Sequence, residues 1–283
     1  MRKVINLLVP VMLALCALIA CGIVLALVGA IVFRGFPALS WRFFTEQIRL
    51  VGAEGGIFYN LVGTAILITT ALLVAAPIAL GVALVHSVYL RRERTRRRLM
   101  LALYVLNGVP SILFGILGLI VFVKFLGWGK SWLAGGILLG LMILPTVIIS
   151  VAERMASLPA KYIEAAAGLG LTQSQIIWSV IVPQSFHGLV TGALLGLARA
   201  AGETAPIMFT ATIFAGANLP HAIKESPVLS LPYHIFILAQ DSFDPSVGTK
   251  LWGSALVLLM MVSLFSIIAL PMRLRIHQEA HHG

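Results

Sequence analysis

Two ionisable residues stand where an apolar environment makes charge costly. Arg199 and Glu203 fall inside a long apolar stretch, 185–212, and a charge at mid-bilayer costs about 2.5–3.5 kcal/mol even on insertion-based scales. Their spacing of four lets them meet on one helix face. Gly188, Gly192 and Gly196 precede them as two consecutive small-xxx-small steps, a pattern that admits close helix contact. Gly192, Gly196, Arg199 and Glu203 therefore share roughly one face, directed at the crowded interior rather than at lipid. Arginine suits oxyanions because its planar fork bonds two oxygens at once. Two readings follow: a buried ion pair that fixes helix register, or a transport-path site where Arg199 meets an anion and Glu203 holds or releases the arginine. Gly129-Lys130-Ser131 is no phosphate loop, because the position needing the first glycine is Lys124. No Ser/His/Asp or Cys/His arrangement stands out, so no covalent chemistry is expected. Tail histidines His277, His281 and His282 lack the fixed geometry of a metal site, and no cofactor or metal is expected.

The elements that must position these groups are membrane helices. Of the 283 residues, 60% are hydrophobic and 11% charged, against about 25% charged in ordinary globular domains. A span needs about 20 apolar residues. Six runs qualify, near 6–33, 58–90, 99–124, 133–152, 185–212 and 251–272. They are continuous and not alternating, which excludes a barrel, so the fold class is all-α integral membrane. The first run is too long for the core of a secretion signal and reads as a retained span. Cys16 and Cys21 both lie in it, poorly placed for a disulfide.

The net charge of +10 reports topology rather than nucleic-acid binding. Residues 91–98 carry six arginines and read as a solvated cytoplasmic loop. With six spans, twelve Lys and Arg residues fall on that side and seven on the other, giving N-in, C-in. Two outer segments, 34–57 and 214–250, exceed simple turns. The second holds Pro220, Pro227, Pro232 and Pro245 and is not one helix. They either cap the bundle or receive an extracytoplasmic partner. Pro77, Pro110 and Pro145 read as kinks; Pro110 and Ser111, between Gly108 and Gly115, open backbone toward the path. Trp41, Trp128 and Trp132 read as outer-interface anchors.

Between the fourth and fifth spans lies a polar insert, 153–184. Lys161 to Leu169 favours helix, Gly168 and Gly170 permit a reversal, and Thr172 can cap a second helix, Gln173 to Val182. Pro183 ends that helix or starts the next span. Ile176, Ile177, Val180 and Ile181 form an apolar stripe, which either docks a partner or packs on the chain's own spans.

Glu164-Ala165-Ala166, three residues, Gly170, nine residues, then Val180-Ile181-Val182-Pro183 resembles the coupling motif of ABC importer permeases. Val180 and Val182 replace the more usual isoleucine and leucine. Arg199-Ala200-Ala201-Gly202-Glu203-Thr204-Ala205-Pro206 resembles the signature of phosphate ABC transporter permeases of the PstA type. Gly108-Val109-Pro110-Ser111-Ile112-Leu113-Phe114-Gly115, Gly55-Gly56-Ile57 with Val62-Gly63-Thr64, and Leu231-Pro232-Tyr233-His234-Ile235 extend the likeness from about residue 55 to the C-terminus. Thr204-Ala205-Pro206 favours the A-type over its C-type sister.

The resemblance implies a type I ABC importer permease fold in the inner membrane. Residues 1–54 would form an N-terminal span and outer segment, 55–272 the permease core with the 153–184 hairpin, and 273–283 a cytoplasmic tail. It implies that the hairpin, through Glu164, Ala165, Ala166, Gly170 and Pro183, seats on a partner ATPase dimer. It further implies a sister permease subunit, an extracytoplasmic phosphate-binding protein, and passage of inorganic phosphate past Arg199, Glu203, Thr204 and Ser111. The alternatives are the same machine for sulfate or molybdate, or an ion-coupled secondary transporter using Glu203. The chain departs from the family after Leu144-Pro145, where Ile149 replaces an arginine and Ala152 an acidic residue. Arg154 is displaced to another face, so either Arg199 or the sister subunit supplies the cation.

Overall fold

The computed structural model describes residues 2–49, 54–213, 219–240 and 245–281. Helices dominate. They are α1 (Arg2–Gly35), α2 (Trp41–Thr45), α3 (Phe58–Tyr89), α4 (Glu93–Asn107), α5 (Ser111–Phe125), α6 (Trp132–Ala156), α7 (Ala160–Gly168), α8 (Gln173–Gly202), α9 (Ala205–Thr210), α10 (Leu231–Gln240) and α11 (Pro245–His281). A two-residue antiparallel ribbon, β1 (Ile48–Arg49) with β2 (Glu54–Gly55), precedes α3 in register Ile48↔Gly55.

The span count holds with one change. α1, α3, α6, α8 and α11 each contain a continuous stretch long and apolar enough to cross a bilayer. The expected third run, 99–124, is instead broken. α4 and α5 meet at 88° across Gly108-Val109-Pro110. Pro110 drives the residue before it away from helical backbone, and Gly108 forms the α4 C-cap. Each leg is about 22 Å long; the bent pair counted as one span restores six and the N-in, C-in parity.

The fifth run is also broken. α8 stops at Gly202, Glu203 is extended (φ −80°, ψ 129°), and α9 starts at Ala205 with Pro206 in its first turn. The expected helix 185–212 is thus two pieces, the first of them longer than predicted at its cytoplasmic end. Pro183 stands in the first turn of the α-helical stretch Val182–Gly202, so it starts the span as one alternative expected, although no break separates that stretch from the helix before it. Within α8 it follows, one residue on, a wide π turn at Ile177–Ile181 that makes room for a ring otherwise in conflict with the preceding turn. The arginine run is only in part a loop: Arg91 and Arg92 lie outside helix, Arg92 being extended, and Glu93 to Arg98 form the first turns of α4.

α6 is the hub. Of its apolar stretch 67% is buried, against 0% for α1. α3 lies along it through Ala71, Ala75, Ala79 and Ala83, all fully buried. α8 lies on its other side through the glycine steps. A Cβ on Gly188 would sit 2.5 Å from the Arg154 Cβ, and one on Gly192 would sit 2.8 Å from the Ser150 Cβ. Lipid offers apolar side chains as good a solvent as the bundle does, so this close backbone approach and its dispersion contacts hold the helices together.

The outer end is closed by the two long segments. Leu231 N donates to Thr64 Oγ1 (2.9 Å), Val228 N to Ala211 O (3.0 Å), and Trp132 N to Ser226 O (3.1 Å). Lys130 is used structurally. Its Nζ donates to Met208 O (3.0 Å) and Thr212 O (3.3 Å) at the end of α9, where a helix C-terminus favours positive charge. Trp132 Nε1 donates to Ala222 O at 2.8 Å. Residues 214–218, part of the second outer segment, lie outside the described residues.

Candidate functional site

The two helix breaks face each other, and Arg199 joins them. Its position in the last turn of α8 places the guanidinium where exposed carbonyls favour a cation. Asn107 is the last residue of α4, at the bend. Arg199 Nη1 donates to Asn107 Oδ1, and Nη2 approaches the Asn107 main-chain oxygen at 3.5 Å. Thr146, on α6, donates from Oγ1 to the same Oδ1 at 3.2 Å. With two donors on it, that atom is fixed as the carbonyl end of the carboxamide. Glu203 Oε1 lies 3.7 Å from Arg199 Nε, an ion pair rather than a hydrogen bond. The side chains are 29% and 18% exposed, so the pair is neither sealed in the core nor open to bulk.

α5 and α9 reinforce the crossing. A Cβ on Gly115 would stand 2.8 Å from the Phe209 Cδ2 and 2.9 Å from Ala205 O. The stretches 108–115 and 199–206 are therefore in contact. Ser111, at the first turn of α5, and Thr204, at the turn into α9, are both half-buried.

Arg199 and Glu203 pair as expected, but not on one helix face: Glu203 reaches back from the extended residue that follows α8. Asn107 and Thr146 were not anticipated. Asn107 carried a signal, as the one carboxamide in the apolar stretch 99–124, whereas a threonine in a membrane helix is common enough to carry none. Ile149 is half-buried against the core. Arg154 is buried under Gly188, and its Nε donates to Gln184 O at 3.2 Å, tying α6 to α8 near the hairpin.

That hairpin forms as the sequence dictates. Gly170 takes φ +81° and its Cβ direction is empty, so the backbone angle alone requires glycine there. Thr172 and Gln175 make a reciprocal capping box, with Thr172 N donating to Gln175 Oε1 at 2.8 Å. The apolar stripe does not face outward, however. Ile176, Ile177 and Ile181 are buried. Together with Ser87, Val88, Met155, Leu158, Ile163 and Gln173 they line a cavity of ≈ 310 Å³ between the hairpin and the bundle. The stripe packs on the chain itself because burying it there covers apolar surface without a partner. Glu164, Ala165, Gly170 and Pro183 are exposed, Ala166 is buried, and Leu169 at the tip is 83% exposed. Ser87 and Val88 also place the hairpin at the same end as the arginine-rich start of α4, the cytoplasmic end by the distribution of basic residues.

Residues 75–278 match the family described as binding-protein-dependent transport system inner membrane component. The chain is 27% identical over 282 residues to the probable ABC transporter permease protein YqgI of Bacillus subtilis, covering 95% of both chains. It is 30% identical to the phosphate transport system permease protein PstA 2 of Mycobacterium bovis, covering 84% of this chain and 77% of that one. It is 32% identical to the probable phosphate transport system permease protein PstA of Methanocaldococcus jannaschii, covering 86% and 84%. A solved inward-facing structure of the MetNI methionine ABC transporter has the same fold, with a TM-score of 0.55 at 16% identity over 78% of this chain and 97% of that one. The chain is therefore a multi-pass inner-membrane protein of the binding-protein-dependent transport system inner membrane component family.

Proposed function

We propose that the chain is the permease subunit of an ATP-driven importer of inorganic phosphate, and that the anion passes Arg199. The observation that carries the reading is a guanidinium held inside the bundle where two broken helices meet, with a carboxylate 3.7 Å away. Such a cation attracts a tetrahedral oxyanion, which it can bind through two oxygens, while Glu203 limits how tightly the anion is held. Ser111 and Thr204 flank the same crossing and offer hydroxyls to the path. The PstA names of relatives at about 30% identity favour phosphate over sulfate or molybdate.

The hairpin supplies the energy input. Glu164, Ala165, Leu169 and the Gly170 turn form the exposed tip that seats on an ATPase subunit, one of a pair. A sister permease subunit completes the path, and an extracytoplasmic phosphate-binding protein delivers the anion to the capped outer end. ATP-driven closure of the motor pair moves the hairpin, and α8, continuous from Gln173 to Arg199, carries that movement about 39 Å to the guanidinium.

Uptake of radiolabelled phosphate into cells lacking the gene tests the reading. The wild-type chain restores uptake; Arg199→Gln abolishes it while insertion and ATPase capture persist. Sulfate or molybdate uptake restored in place of phosphate reassigns the substrate. Normal phosphate uptake by Arg199→Gln removes the path role, and uptake without any ATPase partner favours ion coupling through Glu203.

A further inference from the structure

Arg199 does not wait with an empty fork. Its two terminal nitrogens are both turned on one residue, Nη1 to Asn107 Oδ1 and Nη2 to the Asn107 main-chain oxygen. A side-chain oxygen and a main-chain oxygen of Asn107 thus occupy the guanidinium much as two oxygens of an oxyanion would. We propose that Asn107 is an internal stand-in for the transported oxyanion, a positioning residue that latches Arg199 until an anion displaces it. The proposal rests on the reading that Arg199 lines the anion path.

Three features make a latch more apt than a fixed strut. Asn107 is neutral, so its bond to the guanidinium is weaker than one from a charged anion and yields to an arriving oxyanion. It stands at the 88° break between α4 and α5, beside Gly108, whose Cβ direction meets only carbonyls of its own last turn, at 3.5 Å or more. Movement of α4 against α5 therefore moves the latch. Thr146 donates to Asn107 Oδ1 from α6, holding the carboxamide in the orientation that presents oxygen to Arg199. Glu203, on the Nε side, remains paired when the terminal nitrogens are released, so the arginine is never left without a counter-charge.

The test uses the assembled transporter in proteoliposomes, with an arginine-specific dicarbonyl reagent as probe and Arg199 labelling read by mass spectrometry. Asn107→Ala releases Nη1, leaving only the main-chain oxygen on Nη2, and speeds labelling about tenfold. Asn107→Asp replaces a neutral acceptor with a charged one, slows labelling, and lowers phosphate uptake about tenfold at saturating binding protein. Thr146→Val, which keeps the side-chain shape, shifts labelling in the direction of Asn107→Ala by a smaller factor. A merely structural Asn107 moves Ala and Asp the same way; that result, or wild-type uptake by Asn107→Asp, overturns the latch. Arg199→Gln in the same preparation separates the two ideas: if it transports normally, the path reading has failed, whereas if it is inactive and the Asn107 variants label alike, only the latch has failed.

Discussion

Lys130, Arg154 and Lys250 donate to main-chain carbonyls, of Met208 and Thr212, of Gln184, and of Gly55 respectively. A carbonyl fixed in the backbone pins a cation and closes a loop or a helix contact. Arg199 is met by both the side-chain amide and the main-chain oxygen of Asn107 at a helix break, and by a carboxylate within 4 Å. A second titratable group is spent on the fold. His234 in α10 is buried, and desolvation, assisted by the positive Lys250, lowers its pKa from 6.5 to about 4. The native state holds the imidazole neutral, so the unfolded chain takes up the proton first. Stability is level above pH 6.5 and falls as pH drops from 6.5 toward 4, by on the order of 3 kcal/mol in all. Thermal unfolding of the detergent-solubilised protein across that window should show the decline, and His234→Gln should flatten it. An equal slope in the variant would assign the acid sensitivity elsewhere.

At the scale of elements, two kinds of glycine have separate consequences. Gly170 is required by its backbone angle, and its surroundings are empty; Gly188 is required by its surroundings, with Arg154 Cβ at 2.5 Å and Ser150 O at 3.0 Å from an added Cβ. Gly170→Ala should strain the turn by about 1–2 kcal/mol, loosening the hairpin and weakening capture of the ATPase while the unfolding temperature of the bundle stays put. Gly188→Val should do the reverse, costing about 1–3 kcal/mol by overpacking the α6–α8 contact and lowering the unfolding temperature, with hairpin exchange protection unchanged until the bundle opens. Pull-down and thermal unfolding on both variants decide it. If either variant moves both measurements together, the hairpin and the α6–α8 contact are one cooperative unit and the proposed division of labour is wrong.

At the scale of the whole molecule, composition and apolar run length made the all-α membrane bundle legible, and the Lys and Arg distribution gave its orientation. The motif spacings located the hairpin and its turn, because Gly170, Thr172 and Gln175 are local devices. The sequence misled where long-range contact decides. Pro110 was legible as a kink, but not that the bend it marks reaches 88° and splits the run into α4 and α5; nothing in the run showed that residues 203–204 separate α8 from α9. The stripe at 176–181 looks the same whether it meets a partner or its own spans. Asn107 and Thr146 become a site only through a contact 92 residues apart in one case and 39 in the other. α1 supplies the last test of how the molecule is divided. Its apolar surface is exposed along residues 9–29, and its outer end is in close contact, where Gly35 lies against α11 with a Cβ direction 2.5 Å from Trp252 O. Arg34 covers the Trp252 ring at 5.1 Å. The length of α1 therefore contributes membrane crossing, and its last turn contributes attachment. Replacing residues 4–29 with an unrelated apolar span of equal length should leave the unfolding temperature within about 2 °C and phosphate uptake intact. Gly35→Leu should push α1 off α11 and lower the unfolding temperature by several degrees, since overpacking against main chain costs about 1–3 kcal/mol. Collapse of assembly in the replaced-span variant, with Gly35→Leu tolerated, would show instead that the lipid-facing side of α1 is covered by another subunit.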